Sequence, residues 1–351
     1  MFISPRCFLC YNFFCTFALI MILDVVRHKF AEALLMLLFL ALSAMVAAMC
    51  TPALTEAVVA NAAPMRPVLH TFAVNHNILA ALTILLLFCS AALRFARATI
   101  RISLYPESTM AAIAIAAVVL LAMTSGGEAF VMMIIAFLMC YSMSRLLGCF
   151  GPSMRAQRLF AAMLAIGCMP LIDSSLLAVA IVIPLLVIFV RRTLRESIIS
   201  IVGATLPLFI YSYIVWCLGG DFTATTIALW SDMLTPASGT IATYVTLPRM
   251  IFVVLIVVMQ LSSSAIYISD RMSLGPGVRH AWSFLQLFFA ALVLLALLLP
   301  SKSSALFVAA ALPTIAMLPL LLMRIPAYLS TLLFFILLSC SYTIVIFNVI
   351  A

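Results

Sequence analysis

The chain is a succession of apolar runs broken by short polar joints. Eleven runs stand out, over Phe30–Cys50 and over residues 76–93, 109–123, 128–143, 156–168, 174–190, 197–217, 248–269, 281–299, 304–323 and 327–347. Several approach the roughly 20 residues that carry an α-helix across a bilayer, and others fall short of it. Run 109–123 reaches only about 22 Å at 1.5 Å per residue, and run 156–168 is shorter still. The pattern predicts an all-α fold, a polytopic transmembrane bundle of about eleven helices. Residues 21–351 form a single membrane domain, with no clear internal repeat, soluble domain or low-complexity linker.

Composition accounts for the pattern. Of the 351 residues 67% are apolar and 8% charged, against roughly 45–50% and 25% in a soluble domain. So few charges cannot cover a globular surface, and lipid must do the covering. A net charge of +8 and a pI near 9.1 would suit a nucleic-acid binder. The basic residues are instead spread singly and in threes between apolar runs, which excludes nucleic acid as a partner.

Their spacing is a topology signal. Loops on one side carry Arg27 and Lys29; Arg94, Arg97 and Arg101; Arg145, Arg155 and Arg158; Arg191, Arg192 and Arg195; Arg271 and Arg279; and Arg324. These are fourteen of the eighteen basic residues. The alternate loops carry Arg66, Arg249 and Lys302 only, and Arg6 precedes all runs. By the positive-inside rule the arginine side is cytoplasmic, which places the protein in a bacterial inner membrane with helix 11 ending on the outer side. Glu56, Glu128, Asp173, Asp221 and Asp232 fall on the outer side or at its boundary, as does the longest hydrophilic stretch, 218–247.

The first twenty residues, rich in Phe and Cys, carry one basic residue. They lack the small-residue cleavage site of a signal peptide. The preferred reading is a start at Met21, with residues 1–20 a mis-assigned extension. In the alternative, residues 8–23 form a short extra span and the helices number twelve.

Ten cysteines are present, most of them inside apolar runs, where they act as small hydrophobes. Cys7-Phe-Leu-Cys10 has neither a second pair nor a histidine partner for a zinc site. No metal, cofactor or disulfide framework is expected. Neither lysine follows a glycine, so a Walker A loop is missing. His28, His70, His76 and His280 form no HExxH, and no two glycines form GxxxG.

Candidate chemistry gathers in acids and helix breaks near the outer face. Thr124-Ser-Gly-Gly-Glu128 and Gly167-Cys-Met-Pro-Leu-Ile-Asp173-Ser-Ser175 each join two apolar helices. Short helices ending in Gly or Pro beside an acid point to binding sites, because freed backbone groups and helix ends bind ions. Glu128 and Asp173 are therefore candidate substrate-binding residues. An acid in a first helical turn and an Asp-Ser-Ser cap are the structural alternatives. Glu56 in the first outer loop and Asp221 in the long one are candidate catalytic bases. Arg191, Arg192 and Arg195 are candidates for a phosphate or lipid head group. Only Gln260 and Gln286 are polar at depth, which argues against a classical proton-coupled transporter.

Tyr105-Pro-Glu-Ser-Thr-Met, Met169-Pro-Leu-Ile-Asp173 and the stretch from Arg191-Arg-Thr-Leu-Arg-Glu196 to Gly203-Ala-Thr-Leu-Pro207 carry a resemblance. Over residues 105–215 the chain resembles an uncharacterised family of bacterial polytopic inner-membrane proteins, a domain of unknown function. That family tends to begin where Met21 stands. The resemblance implies a membrane bundle and carries over no catalytic residue.

The expectation is a membrane protein that handles a lipid-linked or amphiphilic cell-envelope substrate, with membrane lipids and a protein as its candidate partners. A glycosyltransferase using a polyprenyl-phosphate sugar, a non-catalytic assembly subunit and a transporter are the alternatives.

Overall fold

Each apolar run becomes helix, because a backbone in hydrocarbon must satisfy its N–H and C=O groups within its own segment. The computed structural model describes residues 30–51, 63–105, 109–150, 155–189, 194–235, 246–272, 274–299 and 303–350. They form fourteen α-helices: α1 (Phe30–Cys50), α2 (Arg66–Asn75), α3 (Asn77–Arg101), α4 (Ala111–Thr124), α5 (Ala129–Gly148), α6 (Arg155–Cys168), α7 (Leu177–Phe189), α8 (Leu194–Cys217), α9 (Ala224–Leu234), α10 (Leu247–Asp270), α11 (Pro276–Leu298), α12 (Ser304–Ala311), α13 (Thr314–Arg324) and α14 (Ala327–Ile350). Two 3₁₀ turns, Met169–Leu171 and Ser174–Leu176, join α6 to α7. No strand occurs among the described residues.

Seven helices (α1, α3, α5, α8, α10, α11 and α14) are long and apolar enough to cross a membrane. The pair α12 and α13, bent by 40°, makes an eighth crossing if it counts as one. Residues Ala111–Thr124, Ala156–Leu171 and Ser174–Val187 form shorter apolar helices. This is the build of a multi-pass membrane protein. Residues 1–29 lie outside the described residues, and with them the alternatives of a Met21 start and an extra span over 8–23.

The short apolar helix α4 sits inside, and long helices such as α8 and α10 lie outside. All fourteen residues of α4, Ala-Ala-Ile-Ala-Ile-Ala-Ala-Val-Val-Leu-Leu-Ala-Met-Thr, are buried. A helix apolar on every face belongs in a core, and its alanines let neighbours approach closely where no hydrophobic effect drives helices together. Helices α1, α3, α5, α13 and α14 all pack on it. In contrast, α8 and α10 present Val202, Phe209, Ile210, Val254, Val258 and Leu261 exposed, the surface lipid would cover.

Two details position the rest. Helix α6 crosses α8 at backbone contact: a Cβ on Gly167 would stand 2.2 Å from the Ala204 carbonyl oxygen, and one on Gly203 would stand 2.8 Å from Met163 Cβ. Close approach is thus built from glycines on different helices, without a GxxxG on either. The run 304–323, read as one helix, is in fact two. Pro313 has no N–H to donate and its ring crowds the preceding turn, which breaks the helix. Neighbours hold the break in place: Tyr105 Oη donates to Ala316 O (2.8 Å) and Ser263 Oγ donates to Met317 O (2.5 Å). The stretch 218–247, read as an outer loop, contains helix α9.

Candidate functional site

The polar groups of the bundle meet at its two ends. One end gathers the C-termini of α3, α5, α10 and α13. There Arg158 Nη1 donates to Gly148 O (2.8 Å), Trp282 Nε1 donates to Leu104 O (3.1 Å), and Arg324 pairs with Asp270. The other end gathers the N-termini of α2, α5, α10 and α12 with the C-termini of α4, α9 and α14, and it holds a buried cluster of charge.

Arg66 is the centre of that cluster. It opens α2, where Pro67 in the first turn fixes φ for a helix start. The backbone N–H of Met65, just before it, donates to Leu171 O (2.8 Å) and sets α2 against the 3₁₀ turn before Asp173. The Arg66 side chain is 7% exposed, and its planar fork spans two acids. Nη1 lies 2.6 Å from Asp173 Oδ2, and Nη2 lies 2.5 Å from Glu128 Oε1.

Asp173 is fully buried, and both its carboxylate oxygens accept hydrogen bonds. Its Oδ1 accepts from Ser175 N (3.0 Å) and Ser175 Oγ (2.5 Å), so it caps the second 3₁₀ turn. Its Oδ2 accepts from Arg66 and from Ser303 Oγ (2.9 Å). Ser303 in turn caps α12, accepting from Ala305 N (3.0 Å). One carboxylate therefore links the α6–α7 break to the start of the broken pair α12–α13. Next to it Ser174 Oγ donates to Asp232 Oδ2 (2.5 Å), which fastens α9 to the same turn.

Glu128 stands at the N-cap position of α5 without capping it; its side chain goes to Arg66 instead. The turn before it is held at its other end by a second buried arginine. Arg249 Nη2 donates to Ser125 O (2.8 Å), and Asn348 Nδ2 donates to Ser125 Oγ (3.1 Å). Between the two clamps Gly126 has φ +129°, a conformation that only glycine adopts without strain.

Arg66 and Arg249, read from the sequence as exceptions to the charge alternation, are thus buried at 6% and 4% exposure and held by the helix breaks. Arg66 reaches Glu128 and Asp173 across 62 and 107 residues, and Arg249 reaches Ser125 O across 124, all beyond any local pattern. The one signal in the sequence was their exceptional side. Ionisable groups do lie buried in this bundle, at helix ends rather than mid-span, where Gln260, Ser263 and Ser341 are among the buried polar residues.

Of the remaining candidates, Asp221 and Arg195 do not join the cluster. Asp221 is exposed between α8 and α9, and Arg195 is exposed in the first turn of α8. Glu56, Arg191 and Arg192 lie outside the described residues. Among the described residues no group of three His, Cys, Asp or Glu side chains is placed to hold a metal.

Ser303→Ala removes a helix cap and one of the donors to Asp173 together. The expected loss is about 1–2 kcal/mol of stability, read as a lower thermal midpoint of the detergent-purified protein. Ser304→Ala, one residue on, is the comparison and should cost much less.

Comparison with protein-family models, with curated proteins and with solved structures finds no match.

Proposed function

We propose that the chain is an inner-membrane carrier that takes up a lipid-linked or otherwise amphiphilic envelope substrate at its outer end. In this reading it crosses the bilayer eleven times, with the arginine-rich end in the cytoplasm. The Arg66–Glu128–Asp173 cluster is the latch of the substrate site. One observation carries the reading: a single buried arginine ties together the breaks at Glu128 and Asp173, and Asp173 ties in the start of α12. Discontinuous helices meeting at ionisable groups mark substrate sites in membrane carriers, and ionisable groups inside a bundle are costly unless they do work there.

Three further features support it. Polar contacts join outer-assigned ends only to outer ones and inner only to inner, as eleven crossings require, with α4, α6, α7 and the bent pair α12–α13 among them. Arg66 Nε is buried and has no acceptor among the described residues, so it is a donor available to an anionic group. The two acids grip an arginine and hydroxyls, which suits a latch better than a general base. A transferase reading would therefore rest on Glu56 or Asp221.

Native mass spectrometry of protein purified gently from its own membrane tests the proposal. The expected result is a co-purifying amphiphile, such as a polyprenyl phosphate or its sugar-linked form, that is depleted from Arg66→Lys protein. A stoichiometric protein partner with no such lipid would replace the carrier reading with an assembly subunit.

A further inference from the structure

The opposite end of the bundle holds a second arrangement, separate from the latch. Tyr141 of α5 has two guanidiniums over its ring, Arg94 of α3 at 5.4 Å from the ring centre and Arg145 of α5 at 5.2 Å. Neither guanidinium reaches a carboxylate among the described residues. Arg145 alone has an ordinary explanation, since it lies in the last turn of α5, where a cation faces the helix dipole. Arg94 has none of that kind. It sits seven residues before the end of α3, about 10 Å along the axis, and still converges on the same ring. Tyr141 lies at the matching depth, seven residues before the end of α5.

Two like charges brought to one ring without a counter-charge repel, and an anion seated on both removes that cost. Arg94 is exposed and Arg145 half-buried, so the pair opens outward from the bundle. Arg97 and Arg101, both exposed, continue on the same face of α3 toward the helix end. The tyrosine supplies an amphipathic ring of the kind that settles at the membrane–water boundary.

We propose that Arg94, Tyr141 and Arg145 form a binding site for the phosphate diester of an anionic lipid head group at the arginine-rich end of the α3–α5 pair. The two guanidiniums grip the phosphate, and the ring keeps them aligned.

The test titrates phosphatidylglycerol, phosphatidylcholine and inorganic phosphate into the delipidated full-length protein and counts bound molecules by native mass spectrometry. Phosphatidylglycerol should bind preferentially. Arg94→Gln and Arg145→Gln should each weaken it about fivefold, the worth of one arginine near a membrane surface. Tyr141→Phe keeps the ring and should bind as wild type, whereas Tyr141→Leu should weaken binding. Arg271→Gln, an exposed arginine at the same end without an aromatic partner, should leave binding unchanged. An equal loss in Arg271→Gln, or wild-type binding by Arg94→Gln, would overturn the site in favour of diffuse attraction. Displacement of the lipid by millimolar inorganic phosphate would overturn its assignment to a head group.

Discussion

Arg66→Ala should cost roughly 3–5 kcal/mol, the usual penalty for stranding a buried charge. The substitution leaves Glu128 and Asp173 inside the bundle with their main cation gone. Asp173 keeps its bonds to Ser175 and Ser303, but hydroxyls do not neutralise a carboxylate. Helix α2 also loses its ion pair to α5 and keeps the Phe72–Phe130 ring contact there. The protein should then accumulate poorly and melt at a much lower temperature in detergent. A triple variant, Arg66→Met with Glu128→Gln and Asp173→Asn, should recover much of the loss, because replacing all the charges of a buried cluster removes their desolvation cost as well. Recovery of fold without recovery of function would separate the latch's work from its share of stability. A single Arg66→Ala protein as stable as wild type would mean that the two acids are not held buried as described.

The second large effect is expected at Gly167. A methyl group there would stand 2.2 Å from Ala204 O and 2.9 Å from both the Ala204 carbonyl carbon and Pro207 Cδ. The obstacle is backbone and a rigid proline ring, so no rotamer change relieves it. Helices α6 and α8 would have to separate along their whole contact. Gly167→Ala should cost about 3 kcal/mol, the upper part of the usual overpacking range, and Gly167→Leu should not fold. Gly203→Ala meets Met163 Cβ at 2.8 Å and Phe160 O at 3.2 Å, a less severe approach than the 2.2 Å at Gly167, and should cost less. Gly275→Ala, with nothing within 4 Å, should be neutral. Size-exclusion profiles of the four variants, with the monodisperse fraction as the readout, give the ranking.

Gly167 also shows how the fold reaches the site. It lies two residues before the first 3₁₀ turn, so the α6–α8 crossing fixes where the chain turns toward Asp173. Gly203 and Pro207, which stand out in the sequence as part of a basic–Gly–Pro pattern, are the α8 side of that crossing.

The helices were legible because apolar runs in lipid have no alternative to helix. What the pattern could not give was tertiary. Pro313 was visible in the run 304–323, yet proline inside an apolar run is common in membrane helices, and the bonds from Tyr105 to Ala316 O and from Ser263 to Met317 O that hold α13 after the bend are tertiary. The α2 helix was hidden because its Arg66-Pro67 start read as a loop with a stray charge. Glu128 and Asp173 stood out as acids at breaks. Their partner could not be named, since an arginine 62 residues from one and 107 from the other carries no local mark beyond its exceptional side of the membrane. Ser303 was equally silent until Asp173 was placed above it.

If the latch is a moving part, holding it shut must stop the protein from working while leaving it folded. Met65 and Leu171 already share a backbone hydrogen bond of 2.8 Å across the α2–Asp173 junction. A disulfide between cysteines at these two positions, in a chain whose ten own cysteines are replaced, would lock that junction. The measurement is the exchange of the co-purified lipid for an isotope-labelled one in reconstituted vesicles, with and without reductant. The account predicts that the oxidised protein is at least as stable as the reduced one yet exchanges its lipid far more slowly, and that reductant restores the rate. Equal exchange in both states would contradict it and leave the Arg66 cluster a static clasp.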